Sequence, residues 1–217
     1  MMMSPATHRL LCGLLLLAAV TGCGGPVQRN LGAERAALAT ADLETAVFAA
    51  GCFWCVEEAF DAVTGVLATE SGFIGGHVAD PSYRQVVNGG TGHTEAVKVS
   101  FDPTEVDYAT LLEVFWRNVD PTDANGQFCD RGPSYRGGIF FGDAEQEALA
   151  RASKQALIED PDAPKPIVTE ITAATGFYPA EDYHQGYYQR NPLRYSYYKT
   201  SCGRTARLEE LWGPRES

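Results

Sequence analysis

Two cysteines three residues apart, Cys52 and Cys55, stand where a strand-like apolar run gives way to a helical pattern. A thiol at the start of a helix meets unpaired backbone N–H groups and the positive end of the helix dipole, which favour the thiolate. The aromatic residues Phe53 and Trp54 lie between the two cysteines. The pattern predicts redox or nucleophilic chemistry on a soft, uncharged substrate, with Cys52 as the nucleophile. A buried structural cysteine and half of a metal site are the alternatives.

The elements that position these residues alternate along the chain. Strands are predicted at residues 46–50, 66–73, 95–101, 139–141 and 167–172, with helices at residues 53–62 and after the capping residues Asp107 and Asp143. Mixed strands and helices with short connections predict an α+β fold, a two-layer sandwich of a mixed sheet with helices on one side. The last forty or so residues lack apolar periodicity, so we expect a long, coil-like C-terminal segment that is mobile over residues 195–212.

Glu95 begins the most clearly alternating strand. It shares a face with Val97, Val99 and Phe101, so its carboxyl group is expected to point toward apolar surface rather than water. Burial would raise its pKa and let it hold a proton near neutral pH. From the residues alone, a solvated glutamate at a strand end is the competing interpretation.

The composition limits the classes of function. The 217 residues are 45% hydrophobic and carry a net charge of −11, which suits one domain with one core. No basic stripe is present to displace counterions from nucleic acid, so nucleic-acid partners are excluded. No P-loop, dinucleotide glycine fingerprint or paired metal knuckle is found. We therefore expect neither cofactor nor metal, and thiols must carry any electrons.

The N-terminus resembles a bacterial lipoprotein leader. An apolar run over residues 10–20 is too short to span a bilayer, and it ends in a lipobox-like sequence, Val20-Thr21-Gly22-Cys23. We expect a signal peptide over residues 1–22, acylation of Cys23, a tether over residues 23–43 and the folded domain over residues 44–217. The protein would be exported and held at the membrane through its lipid alone, facing the periplasm or the cell exterior. Ordinary signal-peptidase cleavage is the alternative.

Several blocks resemble, in order, those of the A-type peptide methionine sulfoxide reductases. The first is Gly51-Cys52-Phe53-Trp54, and the others lie at residues 71–76, 81–83, 90–97, 126–136, 180–185 and 191–192. The resemblance runs from about residue 46 to about residue 212. It implies reduction of the S-epimer of methionine sulfoxide in proteins or peptides, or as the free amino acid. It also implies an internal disulfide and recycling by a thioredoxin-like reductant.

The same resemblance assigns roles to individual residues. Cys52 would attack the sulfoxide sulfur and become a sulfenic acid, and Glu95 stands where the family places its catalytic acid. Tyr83 and Tyr135, in matching blocks, would donate their phenol O–H groups to the leaving oxygen. In the substrate-binding set, Phe53 and Trp54 would receive the ε-methyl group, and Asp130 would orient the substrate backbone or pin a loop. His184 and Asp182 would hold the catalytic residues in position without contacting the substrate.

The choice of resolving cysteine stays open. Cys55 replaces the glycine that is commoner in the family, and it shares a helix face with Cys52. A disulfide between them requires some distortion of the helix start. Cys202 lies on the expected mobile tail, where the family often carries its resolving thiol, and is favoured for that reason. Cys129 abuts the proposed site and is interpreted as a buried bystander, with a resolving role for it ranked third behind Cys202 and Cys55.

Two other functions fit parts of the pattern. A general dithiol oxidoreductase would use Cys52 and Cys55, but such proteins place tryptophan before the first cysteine rather than between the two. A zinc-binding lipoprotein would use Cys52, Cys55, Cys129 and His184, although one CxxC with a distant cysteine and histidine is a weak spacing for zinc. The reductase accounts for far more of the chain.

Overall fold

The computed structural model describes residues 43–214. The expected signal peptide, the acylated Cys23 and almost all of the expected tether lie outside the described residues. None of the helices between residues 43 and 214 combines the length and apolarity needed to cross a membrane.

Short strands and helices alternate along the described chain. Their order is β1 (Glu44–Ala50), α1 (Phe53–Asp61), β2 (Val66–Ile74), α2 (Tyr83–Val87), β3 (Thr94–Phe101), α3 (Tyr108–Trp116), β4 (Gly126–Gln127), β5 (Asp130–Arg131), a 3-10 turn (Pro133–Tyr135), β6 (Gly137–Phe141), α4 (Ala144–Glu159), β7 (Glu170–Ala173), β8 (Tyr178–Pro179), α5 (Tyr187–Arg190), α6 (Pro192–Ser201) and α7 (Arg204–Trp212). Asp107 and Asp143 accept hydrogen bonds from the backbone N–H groups of Thr110 and Gln146, so both predicted caps are present.

Six strands form one mixed sheet in the order β7-β6-β1-β3-β2-β8. Only β6 and β7 pair in parallel, and the other neighbours are antiparallel. Phe48 of the central strand β1 stacks on Phe60 of α1 and Phe115 of α3, with ring centroids 4.8 and 5.4 Å apart. The helices therefore cover the sheet through an aromatic core, and the α+β class is confirmed.

The C-terminal segment differs from the expectation. It carries three helices, α5, α6 and α7, rather than coil throughout. Tyr195, Arg204 and Leu208 are buried, so single large side chains fix the segment to the domain. These anchors are too widely spaced to produce an apolar stripe, which is why periodicity did not reveal them. Periodicity also missed the five-residue helix α2 and the two-residue strands β4, β5 and β8, which are too short to show a repeat.

Candidate active site

Cys52 occupies the turn between the central strand β1 and helix α1. It is the N-cap residue of α1 and is 6% exposed. The preceding residue, Gly51, has φ +80°, and a Cβ there would lie 2.5 Å from the Cβ of Gln127. Only glycine suits this turn, because it tolerates both the left-handed backbone and the close approach. The turn places the Cys52 thiol at the N-terminal end of helix α1, in the interior of the protein.

The carboxyl group of Glu95 binds the same turn from strand β3. Its Oε2 accepts a hydrogen bond from the backbone N–H of Phe53 at 3.0 Å, and the residue is 1% exposed. The buried position predicted from strand alternation is therefore confirmed. Burial raises the pKa of Glu95 well above its ordinary value, although the Phe53 hydrogen bond acts in the opposite direction. Glu95 can thus carry a proton beside Cys52 near neutral pH.

The hydroxyl groups of Tyr83 and Tyr135 meet close to these two residues. A side-chain hydrogen bond joins them, and both lie near enough to Glu95 and Cys52 that a negative charge on either residue would raise their pKa. Burial, the largest cause, raises the pKa of Tyr83 to about 12 and also raises the pKa of Tyr135. Both phenols remain neutral O–H donors at physiological pH. The structure therefore brings together the four residues expected to be catalytic.

An aromatic cluster adjoins this group. The ring of Phe53 lies 6.2 Å from that of Tyr83 and 4.9 Å from that of His184, centroid to centroid. Trp54 donates its indole N–H to Nδ1 of His184 at 3.1 Å, and its other neighbour, Tyr187, stacks on it at 3.8 Å. Burial lowers the pKa of His184 to about 4, so the ring is a neutral acceptor. His184 thereby sets the orientation of Trp54.

Asp130 is connected to Cys52 through a tyrosine. The hydroxyl group of Tyr198, on α6, faces both the Asp130 carboxylate and the Cys52 sulfur. Burial raises the pKa of Asp130, while the Tyr198 hydrogen bond and the positive charge of Arg204 lower it. Asp130 therefore lies at the rim of the same site, where the sequence placed it.

Cys52 and Cys55 are both reduced, and a side-chain hydrogen bond joins their sulfurs. Burial raises the pKa of Cys52. The hydrogen bond from Cys52 lowers the pKa of Cys55 to about 6, despite burial, and the Arg204 charge adds to that effect. Within this pair the Cys55 thiol therefore gives up its proton more readily than the Cys52 thiol, whereas the sequence placed the thiolate on Cys52. The largest cause is burial, which disfavours a charge on the Cys52 sulfur, and the interaction with Cys55 acts in the same direction.

The other two cysteines between residues 43 and 214, Cys129 and Cys202, form a disulfide, with Cα atoms 4.9 Å apart. The interpretation of Cys129 as a buried bystander is wrong, because this residue is exposed and covalently paired. Cys202, at the end of α6, is bonded to Cys129 rather than to Cys52. The zinc alternative needs a free Cys129 thiolate, which the disulfide removes.

Helix α6 supplies contacts that sequence reasoning missed. The hydroxyl group of Tyr195 donates to Glu58 Oε2 at 2.6 Å and lies near enough to the Cys55 sulfur to interact with it electrostatically. Lys199 forms an ion pair with the same Glu58. Tyr195, Tyr198 and Cys202 are spaced three and four residues apart, which is helical spacing. That spacing was the available sign that one helix face lies on the cysteine pair.

Comparisons with known proteins agree with this geometry. The family model described as peptide methionine sulfoxide reductase matches residues 44–216. The chain is 49% identical over 183 residues to "Peptide methionine sulfoxide reductase MsrA 2" of Caulobacter vibrioides, covering 84% of this chain and 92% of that protein. It is 48% identical over 172 residues to MsrA of Bacillus subtilis, covering 79% of this chain and 97% of that protein.

Two solved structures resemble the fold. The crystal structure of Mxr1 from Saccharomyces cerevisiae in reduced form superposes with a TM-score of 0.65 at 29% identity, covering 69% of this chain and 86% of that one. Methionine sulfoxide reductase A of Corynebacterium diphtheriae superposes with a TM-score of 0.62 at 34% identity, covering 70% of this chain and 76% of that one.

Proposed function

This chain belongs to the peptide methionine sulfoxide reductase family, and we propose that Cys52 is the nucleophile with which it reduces the S-epimer of methionine sulfoxide. The enzyme is an A-type peptide methionine sulfoxide reductase, a thiol-dependent oxidoreductase. One observation gives the strongest support for Cys52 as the nucleophile. The buried acid Glu95 and the phenols Tyr83 and Tyr135 all lie near enough to this sulfur to interact with it electrostatically.

In the first half-reaction, the Cys52 sulfur attacks the sulfoxide sulfur while Glu95 delivers its proton to the oxygen. The proton of the Cys52 thiol passes to the Cys55 thiolate, to which it is already hydrogen-bonded. The protonated oxygen then passes as a hydroxyl group from the methionine sulfur to the Cys52 sulfur as the transient S–S bond breaks, so that methionine sulfur is reduced and Cys52 is oxidised to a sulfenic acid. Tyr83 and Tyr135 donate hydrogen bonds from their phenol O–H groups to the sulfoxide oxygen as negative charge develops on it. Phe53 and Trp54 supply aromatic surface for the ε-methyl group, and Asp130 supplies a polar edge.

Cys55 is the resolving thiol in this proposal. Its sulfur attacks the Cys52 sulfenic acid, the S–O bond breaks, and the hydroxyl leaves as water with the Cys55 proton. The hydrogen bond between the two sulfurs supports Cys55 over Cys202, since Cys202 is already bonded to Cys129. The product is a Cys52–Cys55 disulfide.

The outer pair, Cys129 and Cys202, connects this disulfide to a reductant. Cys52 and Cys55 are buried, whereas Cys129 is exposed, which supports an outer pair that meets the partner. In its dithiol form the outer pair reduces the inner disulfide by thiol–disulfide exchange and returns to the disulfide. A thioredoxin-like protein then reduces the outer disulfide and becomes oxidised itself.

Replacing each cysteine tests this route. Cys55→Ser should reduce one equivalent of sulfoxide and then stall with thioredoxin, yet turn over slowly with dithiothreitol, which can reduce an accessible sulfenic acid directly. Cys202→Ser should stall with the Cys52–Cys55 disulfide trapped. Mass spectrometry of disulfides after one equivalent of sulfoxide distinguishes these states, and Cys129→Ser serves as the matched comparison. Full thioredoxin-driven turnover in Cys202→Ser would remove the outer pair from the route.

The location of the enzyme is a separate proposal. The lipobox-like sequence before Cys23 supports cleavage there, acylation of Cys23 and attachment of the exported enzyme to a bacterial membrane. Radiolabelled palmitate supplied to cells expressing the full chain should be incorporated, and Cys23→Ser should lose both the label and the membrane association. Membrane association equal to wild type in the serine variant would contradict the anchor.

A further inference from the structure

Arg204, the first residue of α7, carries a buried guanidinium group. The residue is 3% exposed. Its Nη1 donates to the carbonyl oxygen of Ala50 at 2.9 Å, and its Nη2 donates to that of Asn118. The group also lies 4.5 Å from the ring centroid of Phe128. Within residues 43–214 it forms no ion pair with a carboxylate, so its partners are two neutral carbonyl groups and an aromatic face.

A buried cation without a counter-charge is costly, because carbonyl groups replace only part of the water it loses. Arginine stays protonated in proteins, so it cannot escape the cost by losing its proton. Some anionic group near Arg204 is therefore expected. The guanidinium group lies against the Ala50–Gly51 backbone that leads directly into Cys52, and a Cβ on Gly51 would lie 3.8 Å from its Nη1.

None of the other charged and titratable groups around the cysteine pair forms an ion pair with Arg204 in the described part of the chain, and Asp130 alone among them is affected by its charge. They come from the strands, from α1, from α2, from the 3-10 turn and from α6: Glu95, Asp130, Glu58, Tyr83, Tyr135, Tyr195, Tyr198 and Lys199. Burial favours the neutral form of Glu95, and the ion pair with Lys199 compensates Glu58. The phenols are neutral at physiological pH. Asp130 feels the Arg204 charge, but its hydrogen bond is to Tyr198 and it forms no ion pair with Arg204.

We propose that Arg204 is the counter-ion of the Cys52–Cys55 pair and holds the pair in a form with one thiol and one thiolate. The inference rests on the proposed use of these two cysteines in the reaction. Arg204 lies behind the turn that carries Cys52, so it acts as a positioning residue and does not touch the substrate. Its charge stabilises the anion on Cys55 at rest, and it continues to act as the anion moves to Cys52 during the attack.

The thiolate content of the enzyme tests the proposal without any substrate. Absorbance near 240 nm is followed between pH 4 and 8 in the full chain with the Cys129–Cys202 disulfide intact. One thiolate per molecule should appear with a midpoint near 6, the value indicated for Cys55. Removing a positive charge destabilises the anion and raises the thiol pKa, so the midpoint should rise by about one unit or more in Arg204→Met, the shift expected for the loss of a nearby opposite charge.

Two further variants distinguish charge from structure. Arg204→Lys keeps the positive charge and should restore most of the low midpoint. Arg207→Met, on the same helix, removes a cation that pairs with Asp120 and Glu210, and should leave the midpoint unchanged. In single-turnover assays, Arg204→Met should reduce sulfoxide about fivefold more slowly at pH 6 and recover as the pH rises, because a one-unit rise from a midpoint near 6 lowers the thiolate fraction at that pH from about one half to about one tenth.

The inference is overturned if folded Arg204→Met titrates like wild type, or if all three variants shift alike. A wild-type midpoint at or above about 8.5, the ordinary cysteine value, also overturns it, and needs no variant to fold. Failure of the proposed function would give a different result. If Cys52→Ser still reduced sulfoxide, Cys52 would not be the nucleophile, but the thiolate titration of the wild type and the Arg204 variants would be unchanged.

Discussion

Cys52→Ser should reduce methionine sulfoxide at less than a few per cent of the wild-type rate, even with excess dithiothreitol. A serine hydroxyl ionises far above physiological pH and is a poor nucleophile toward the sulfoxide sulfur, whereas a thiol beside a thiolate is readily activated. Its neighbours Glu95, Tyr83 and Tyr135 remain in place in the variant but have no sulfur to act with. Single-turnover product formation measures the loss directly, because it does not depend on the reductant.

The loss must be separated from misfolding. Serine is close to cysteine in size, so the buried position 52 should accept it with a small change in melting temperature. Cys55→Ser is the matched control, since it alters the same helix turn and should still form one equivalent of methionine, although more slowly because it lacks the thiolate that takes the Cys52 proton. If Cys52→Ser keeps a substantial single turnover, the nucleophile is another cysteine.

Glu95→Gln should slow the chemical step by about 10²-fold or more at neutral pH, which is the usual scale for losing a positioned general acid. The amide oxygen can still accept the Phe53 N–H hydrogen bond, so the turn around Cys52 should survive. What is lost is the proton for the leaving oxygen. Substrate affinity should change little, because the acid acts on the transition state rather than on the bound substrate.

The pH profile gives the sign of the effect. Burial raises the pKa of Glu95, so the wild-type acid is protonated near neutrality and loses its proton at higher pH. The wild-type rate should therefore fall on the alkaline side, and the glutamine variant should lack that fall. Glu57→Gln is the control, because burial also raises the pKa of Glu57, to about 7, while its Oε1 accepts from the Gly186 N–H. An unaltered single-turnover rate in Glu95→Gln would exclude the acid role.

Much of the fold follows from local pattern. The apolar run of β1, the alternation of β3 and the capping aspartates of α3 and α4 each appear in the sequence close to the bounds found in the structure. The burial of Glu95 also follows from alternation, because one face of a strand packs on the core. Hydrophobic periodicity is a property of residues that are close in the sequence, so it can be detected in a single sequence. The family blocks then associate these elements with sulfoxide reduction.

The tertiary structure decided which distant groups meet. The disulfide joins Cys129 and Cys202 across 73 residues, and no local pattern specifies that pairing. Arg204 and Cys55 are likewise far apart in the chain, and their interaction exists only because α7 folds back against the turn after β1. The relative acidity of Cys52 and Cys55 also depends on tertiary structure. A pKa depends on burial and on charges from several elements at once, so the residue type and helix position of Cys52 could not show which of the two thiols ionises more readily.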